Sequence, residues 1–364
     1  MGSVRIFSIS CQYLNYKFSE ACKLMLNHSK NILFQYKVSV VITIYKNFEE
    51  SLLCLNSLIK SSERNFEVVL VLNSILDESE LCQYAPFSQE LCLRIFQQSE
   101  NTGAAKGRNI GASHARGQHI LFLDSDNVVS ANLISHLSEL LDADKSVGLV
   151  GPLMLHYDSP NLIWQAGANL SDWTCLAAYE DFLMDIADIK QVRRITGHIP
   201  NCFMIRASDF HQIGGFREIY FIMYEEADLA ARVRLELGLG ILLSFECQSY
   251  HMVDVSPPGG LLSRIIRLGV TDSVRAYLTT RNRLIYSHLN CSFLKSSICF
   301  LFFAPLATFL YAGSCLAAAN FPGFIAVLKG YLNGLSYSIF SSELFKTIQV
   351  DNAIKNTSIE INFS

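Results

Sequence analysis

The sequence predicts an α/β protein built on a doubly wound, mostly parallel β-sheet and followed by a hydrophobic helical segment. Between residues 38 and 123, β-branched apolar runs alternate with stretches of helical periodicity, a pattern typical of parallel strands covered by helices. From residue 203 to 245 a shorter series of strand and helix patterns follows. We interpret it as the second half of the same domain.

The first half of the domain has the more regular pattern. Strands are expected at residues 38–44, 68–72, 91–96 and 119–123, with helices over 48–60 and 104–115. Beyond residue 126 the pattern loosens and no longer predicts topology. The later elements are expected as a helix over 132–141, a strand at 148–155, a strand at 203–206, a helix at 209–213, a helix at 226–237 and a strand at 240–245.

We expect four regions along the 364 residues. They are an N-terminal extension over residues 1–36, the α/β domain over 37–290, a hydrophobic membrane-associated segment over 291–340 and a C-terminal tail over 341–364. On this division, a chain cut after residue 290 would be soluble and active, unless the removed segment completes the acceptor site.

The membrane expectation rests on the stretch between Lys295 and Lys329, which contains no charged residue. It exceeds the ~20 apolar residues that span a bilayer; a buried core helix is the alternative. Because Pro305 and Pro322 interrupt it, a kinked span or a re-entrant hairpin is expected rather than a straight helix. Basic residues on its N-terminal flank predict that the domain lies on the cytoplasmic face of the membrane.

Composition narrows the classes of function. Hydrophobic residues make up 50% and charged residues 17% of the chain, which excludes disorder as its main state. The net charge of -4 lacks the positive footprint of a general nucleic-acid binder, so no nucleic-acid partner is expected. Eleven cysteines without a CxxC pair disfavour structural zinc and are typical of reduced thiols.

Residues 101–127, NTGAAKGRNIGASHARGQHILFLDSDN, are the most informative stretch. Gly103, Gly107 and Gly111 recur every four residues and lie on one helix face, where a neighbouring backbone or a ligand can approach closely. Close packing of the helix on the sheet is the simpler alternative. The strand that follows ends in Asp124 and Asp126, whose side chains point the same way past its carboxyl end.

That edge of an open α/β sheet is where ligands bind. Two neighbouring carboxylates repel unless a cation lies between them or one of them is hydrogen-bonded, so a divalent ion that bridges a diphosphate fits the pair. The alternative is that these residues cap the next helix.

A second acidic cluster contains Glu225, Glu226 and Asp228 at the start of a helix. The helix dipole accounts for one or two of these acids. The preceding aromatic residues Tyr220, Phe221 and Tyr224 indicate the wall of a site, where an apolar setting raises the proton affinity of a general base. His251 follows the last predicted strand and has either a structural or a metal-binding role.

With these residues, the chain resembles the family 2 glycosyltransferases of GT-A fold, particularly their rhamnosyltransferase-like and galactofuranosyltransferase-like branch. Residues 101–126 are similar to the family signature NxGxxxGRNxGxxxAxGxxxxFLDxD at every fixed position, and residues 214–232, GGFREIYFIMYEEADLAAR, resemble GGFDExFFxYxEDxDLxxR. YLTTRNR, at residues 277–283, also fits.

The resemblance implies an inverting transfer of a sugar from a nucleotide-sugar donor to a lipid-linked or polysaccharide acceptor, with Mg²⁺ or Mn²⁺ as cofactor. Glu226 is the implied catalytic base, with Asp228 beside it. The implied metal ligands are Asp126, Asp124 and His251. Gly197 is implied to begin a strand on the acceptor side. The implied donor-binding residues are Thr43, Tyr45, Asn73, Asn101, Arg108 and Asp124.

Two departures from the family pattern leave other functions open. The first strand ends ITIYKN, with Thr43 in place of Pro and Lys46 in place of Asn, and Leu72 stands where the family has the Asp that reads the nucleobase. One alternative is therefore a catalytically impaired, membrane-tethered glycan-binding relative. The other is a nucleotidyltransferase, although TIYKNFEES lacks the basic glycine-rich loop that such an enzyme needs.

Overall fold

The computed structural model describes residues 34–253, 271–340 and 359–361. Nearly all of the predicted N-terminal extension and C-terminal tail lies outside the described residues. The predicted alternation of strands and helices is confirmed in the first half of the domain. The strands are β1 Tyr36–Ile44, β2 Phe66–Leu72, β3 Leu93–Gln97, β4 Gly117–Asp124, β5 Asn127–Val129, β6 Val147–His156, β7 Ile163–Gln165, β8 Ala168–Leu170, β9 Ala177–Tyr179, β10 Arg193–Ile195, β11 Cys202–Arg206, β12 Gly240–His251 and β13 Ile359–Ile361.

The helices cover the sheet and then continue as a C-terminal group. The covering helices are α1 Phe48–Ile59, α2 Glu78–Cys82, α3 Phe87–Glu90, α4 Gly103–His114, α5 Leu133–Ala143, α6 Ala207–Gln212 and α7 Glu225–Glu236. The C-terminal group is α8 Ser273–Asn290, α9 Phe293–Ile298, α10 Ala304–Ala317 and α11 Phe321–Phe340, with a π-helical turn, Cys299–Phe303, between α9 and α10.

The centre of the main sheet is parallel, as predicted. Strands β4, β1, β2 and β3 lie side by side in that order and all run the same way. Beyond β4 the sheet is mixed, because β11 is inserted antiparallel between β4 and β6 before β12 pairs parallel to β6. The local apolar pattern did not predict this insertion, since β11 comes back to the sheet only after a long irregular stretch.

Burial on both faces explains why the strands have almost continuous apolar sequences. Every residue of β2 is buried. In β1, Val40 and Ile42 pack in the core beneath α1 and α5, whereas Val41 packs in the core on the other face, with residues of α4, α6 and α7. Because side chains alternate between the two faces with a period of two residues, the buried residues fix the register of the strands and bring their carboxyl ends to one edge.

The glycines of α4 lie very close to β1, as their spacing predicts. A Cβ atom at Gly111 would lie 2.3 Å from Val41 Cγ1, and one at Gly107 would lie 2.6 Å from Thr43 Cγ2. The helix therefore lies directly on β1, which places its N-terminus beside the carboxyl ends of the strands.

The C-terminal segment forms helices in which both prolines stand at irregular points. Pro305 follows the π-helical turn inside the helix Phe293–Ala317, where the altered backbone hydrogen bonding accommodates its missing N–H. Pro322 is the second residue of α11, after the turn at residues 318–319, and so early a position tolerates the missing N–H. The continuous helix Phe293–Ala317 is long and apolar enough to cross a membrane by length and composition. Many of its apolar side chains are exposed, including Phe293, Leu301, Phe302, Phe309 and Leu310.

Candidate functional site

A cleft of about 1150 Å³ opens at the carboxyl ends of β1, β2 and β4. It collects almost all of the side chains that the sequence singled out. Of the predicted site residues, those that line the cleft are Thr43, Tyr45, Asn73, Asn101, Arg108, Asp124, Asp126, Glu226 and His251. The strand register explains why these residues lie close together, because Thr43 of β1 is paired with Asp124 of β4.

Arg108 is the electrostatic centre of the cleft. Its buried guanidinium donates to Asp124 at 2.5 Å and to Glu225 at 2.8 Å, and it forms an ion pair of 2.8 Å with Glu226. The guanidinium also lies over the ring of Phe216. Helix α4 supplies Arg108 and helix α7 supplies the glutamates, so this contact joins two elements that are far apart in the sequence.

Glu226 lies at the wall of the cleft with one fixed orientation. The backbone N–H of Asn201 donates to its Oε1 at 3.0 Å. Burial raises the pKa of the Glu226 carboxyl to about 8, and the nearby negative charges of Glu225 and Asp124 act in the same direction against Arg108. A carboxyl with this pKa gains and loses its proton close to neutral pH, the range in which acid–base groups of enzymes work.

Asp126 and His251 form the second chemical centre. His251 is the last residue of β12, which runs further than the predicted strand and pairs with β5. Its Nε2 lies 3.4 Å from Asp126 Oδ2 and 3.3 Å from Asn201 Nδ2. Within the part of the chain that the structure describes, His251 Nδ1 is buried and has no hydrogen-bond partner.

Asp124, predicted both to bind donor and to ligate metal, forms an ion pair of 2.5 Å with Arg108, and it lies near enough to Asp126 and His251 to interact with their charges. Among the described residues, no group of three or more His, Cys, Asp or Glu side chains is arranged to hold an ion. Asp126 and His251 present a carboxylate and an imidazole side by side, which are side chains of the kinds that bind divalent transition-metal ions.

The predicted donor-binding residues differ in how free their side chains are. Tyr45 is exposed, whereas the amide of Asn73 is already hydrogen-bonded. The Tyr45 ring is exposed in the cleft, and the buried Thr43 hydroxyl has no partner among the described residues. In contrast, Asn73 donates to the Gly103 carbonyl and accepts from the Thr102 hydroxyl, so its amide holds the start of α4. Leu72 is in the hydrophobic core and adds no polar group to the cleft.

Asp228 is placed away from the cleft. Its carboxylate is fully buried and accepts hydrogen bonds from Arg217 at 2.7 Å, Arg232 at 2.9 Å, Tyr220 at 3.1 Å and Asn290 at 2.9 Å. Arg217, which stands where the family pattern GGFDE has its Asp, is thus paired with Asp228. The geometry gives Asp228 a part in fixing helix α7, and it does not bring the carboxylate to the site with Glu226.

Several cleft residues were not predicted. Asn201 contacts both centres from a left-handed backbone with φ 68°. Trp164 packs edge-on against His251 with ring centroids 4.5 Å apart, and Tyr179 packs against Trp164. The nearest signal for Asn201 was the implied strand start at Gly197, in the same stretch of sequence; Gly197 itself lies against Asn169 near β8. The aromatic pair lies in irregular sequence with no motif.

Comparison with known proteins identifies relatives for the domain. Residues 39–214 match the model of the family described as "Glycosyl transferase family 2". "Glycosyltransferase GlyG" of Streptococcus pneumoniae is 34% identical over 115 residues, which are 30% of this chain and 38% of that protein. An "Uncharacterized glycosyltransferase" of Rickettsia felis is 31% identical over 115 residues, 31% of this chain and 19% of that protein. The chain thus spans well under half the length of these curated relatives.

The architecture also resembles a solved structure. The crystal structure of GalNAc-T7 with UDP, GalNAc and Mn²⁺ superposes with a TM-score of 0.55 at 17% sequence identity, covering 87% of this chain and 58% of that chain. At this identity the likeness concerns the fold alone.

Proposed function

We propose that this chain, which has the GT-A fold and carries a glycosyl transferase family 2 domain over residues 39–214, is an inverting glycosyltransferase. It moves a sugar from a nucleoside-diphosphate donor to a hydroxyl of a cell-surface glycan precursor. The observation that carries the proposal is that Glu226, Asp126 and His251 line the same cleft at the carboxyl ends of the strands.

Glu226 acts as the general base in a single displacement. Its carboxylate takes the proton of the acceptor hydroxyl as that oxygen forms a bond to the anomeric carbon of the sugar. The bond between this carbon and the diphosphate oxygen breaks, and the nucleoside diphosphate leaves. Attack from the face opposite the leaving group inverts the anomeric centre, so no covalent enzyme intermediate is needed.

Asp126 and His251 are proposed to hold a divalent cation, Mg²⁺ or Mn²⁺. The two donor atoms lie 3.4 Å apart in the cleft. Such an ion, when bound, stabilises negative charge on a diphosphate. The cationic side chains of Lys46, Arg275 and Arg283 also line the cleft and supply further positive charge for the phosphates.

We assign the other residues that line the cleft to the two parts of the donor, the nucleoside and the sugar. Tyr45 offers an exposed ring for the nucleobase, and Thr43 also lines the cleft, with a buried hydroxyl that has no partner among the described residues. Trp164 and Tyr179 form an aromatic wall beside His251, a surface that suits the apolar faces of sugar rings. Asn73 orients α4 and acts on the donor only through that helix.

We place the enzyme on the cytoplasmic face of the cell membrane, with a lipid-linked or polysaccharide acceptor. The support is the exposed apolar surface of the helix Phe293–Ala317. Basic residues precede that helix at Arg281 and Arg283, and Lys295 lies in its first turn, as the positive-inside rule requires for a cytoplasmic flank.

A donor screen tests the proposal. Full-length protein is incubated with a panel of nucleoside-diphosphate sugars, with Mn²⁺, Mg²⁺ or a chelator, and release of the nucleoside diphosphate is measured. We expect release from one donor, dependent on the ion and lost in Glu226→Gln. The matched control, Glu236→Gln, changes an exposed glutamate at the other end of the same helix. A protein that binds donors but releases nothing under any condition would instead be the impaired glycan-binding relative.

A further inference from the structure

The turn that delivers Glu225 and Glu226 has an unusual backbone. Phe221, Met223 and Tyr224 have φ angles of 64°, 70° and 71°, in the left-handed region that residues other than glycine seldom adopt. Such a conformation persists only where its surroundings hold it in place. Tyr224 is the residue from which α7 begins, so the conformation of this turn sets the position of both glutamates.

Helix α8 holds the turn from one side. The fully buried Asn282 has its Nδ2 at 2.9 Å from the carbonyl oxygens of Tyr220, Ile222 and Met223. An amide group has two hydrogens for these three acceptors, so at least one hydrogen is shared. The neighbouring Arg281 donates to the carbonyl of Ile219 at 2.5 Å.

Helix α4 holds the turn from the other side. The backbone N–H of Ala105 donates to the Phe221 carbonyl at 3.0 Å. Gly103 leaves room for Phe221, since a Cβ there would lie 2.6 Å from its ring. The turn is therefore fixed between the helix that carries Arg108 and the helix that carries Asn282.

Helix α11 sets the position of α8. A Cβ atom at Gly330 would lie 2.4 Å from the carbonyl oxygen of Tyr277, and one at Gly334 would lie 2.9 Å from that of Arg281. Only glycine permits two backbones to approach so closely. The contact at Arg281 is one residue from Asn282, so a displacement of α11 would reach the amide that holds the turn.

We propose that Asn282 is a positioning residue for Glu226, and that Gly330 and Gly334 of α11 keep it in place, so that the hydrophobic C-terminal helices complete the catalytic unit. This inference rests on the proposed role of Glu226 as the base. It replaces the expectation that a chain cut after residue 290 is active, because the cut removes α11.

The test uses full-length Asn282→Ala, Gly330→Ala and Gly334→Ala proteins. The matched control is Gly313→Ala in α10, where a Cβ would meet nothing within 4 Å. Asn282→Asp keeps the size of the side chain but removes its N–H donors. For the three variants and Asn282→Asp, we expect kcat to fall by about 10²-fold, the order of loss from a misplaced catalytic group. The Kd for the nucleoside diphosphate should stay unchanged, and Gly313→Ala should match the wild type.

Hydrogen exchange over residues 219–226 gives a readout independent of turnover. We expect faster exchange there in all variants except Gly313→Ala. Wild-type exchange in Gly330→Ala and Asn282→Ala would overturn the inference, as would losses of kcat, nucleotide affinity and melting temperature in common proportion, which mark a general loss of folding. If the wild-type protein transfers no sugar, the proposed function fails, whereas the exchange measurement still decides whether α11 and Asn282 hold the turn.

Discussion

At the scale of single residues, the chemistry depends on side chains whose charge is set by burial. Arg108 brings three carboxylates within hydrogen-bonding distance, and one guanidinium cannot neutralise all of them. Glu226 responds with a raised pKa. Its proton affinity is thus a product of the fold, since burial and the nearby negative charges of Glu225 and Asp124 raise the pKa against the opposing effects of Arg108 and Asn201.

Replacement of Glu226 by Gln should separate catalysis from binding. The amide keeps the shape of the side chain but cannot accept the acceptor's proton. We expect turnover to fall by about 10² to 10⁴-fold, the usual contribution of a general base, with donor affinity retained in a titration. Asp228→Asn should lower the melting temperature, because its carboxylate fixes α7. Its loss of turnover should be smaller than that of Glu226→Gln. Loss of donor binding in Glu226→Gln would contradict the assignment.

The pH dependence of transfer should report the same group. Burial raises the pKa of Glu226 to about 8, so the carboxyl is protonated below that pH and cannot act as a base. We therefore expect kcat/KM to rise with pH through about 8 and then to level off. The measurement is a pH profile of the wild type beside that of Glu226→Gln, whose residual activity should lack this rise. The same rise in both proteins would assign it to another group.

Asp126→Asn should abolish the dependence of donor binding on a divalent cation. A neutral amide offsets the charge of a hard ion poorly, and because the amide has nearly the same shape as the partly buried carboxylate, we expect the fold to survive. Donor titrations with and without Mn²⁺ provide the measurement, and Asp158→Asn, at an exposed position, is the control. Near wild-type turnover of Asp126→Asn with metal present would show that the ion, if used, binds elsewhere.

At the scale of elements, the sequence predicted what is encoded locally. The parallel centre of the sheet, helix α4 and the residues at its strand ends follow from apolar runs and glycine spacing. The antiparallel insertion of β11, the network around Asp228 and the roles of Asn201 and Asn282 were not predicted. Each depends on contacts between distant residues, such as the Asn282 bonds to residues about 60 positions earlier, for which periodicity gives no signal.

The packing of α4 on β1 can be tested through Gly111. An added methyl group would lie 2.3 Å from Val41 Cγ1, in a core that has no room for it. Overpacking of this kind costs about 1–3 kcal/mol, so we expect Gly111→Ala to lower the free energy of unfolding by that amount in urea titrations. The control is Gly240→Ala, whose Cβ would meet its nearest atom at 3.6 Å. Equal stability of the two variants would show that α4 has freedom to move outwards.

At the scale of the whole molecule, we propose two purposes for the C-terminal helices, which the sequence presented as one. The uncharged run predicted a membrane-associated segment after a separable domain. In the structure, α11 packs against α8 with backbones in close contact at Gly330 and Gly334, while the helix Phe293–Ala317 keeps much of its apolar surface exposed. The helices that we place at the membrane are therefore part of the structure that supports the site.

The exposed face of that helix should bind lipid. Leu306, Phe309 and Leu310 are 56%, 75% and 62% exposed, and lysines there cannot enter an apolar phase without a large cost in free energy. We expect full-length protein to sediment with liposomes, and the triple lysine variant to remain in the supernatant with its fold intact. Ile195→Lys, at an exposed apolar residue of β10, should sediment like the wild type. Wild-type protein that stays soluble in the presence of anionic and neutral liposomes would contradict the membrane assignment, because nothing else in the proposal requires so large an exposed apolar face.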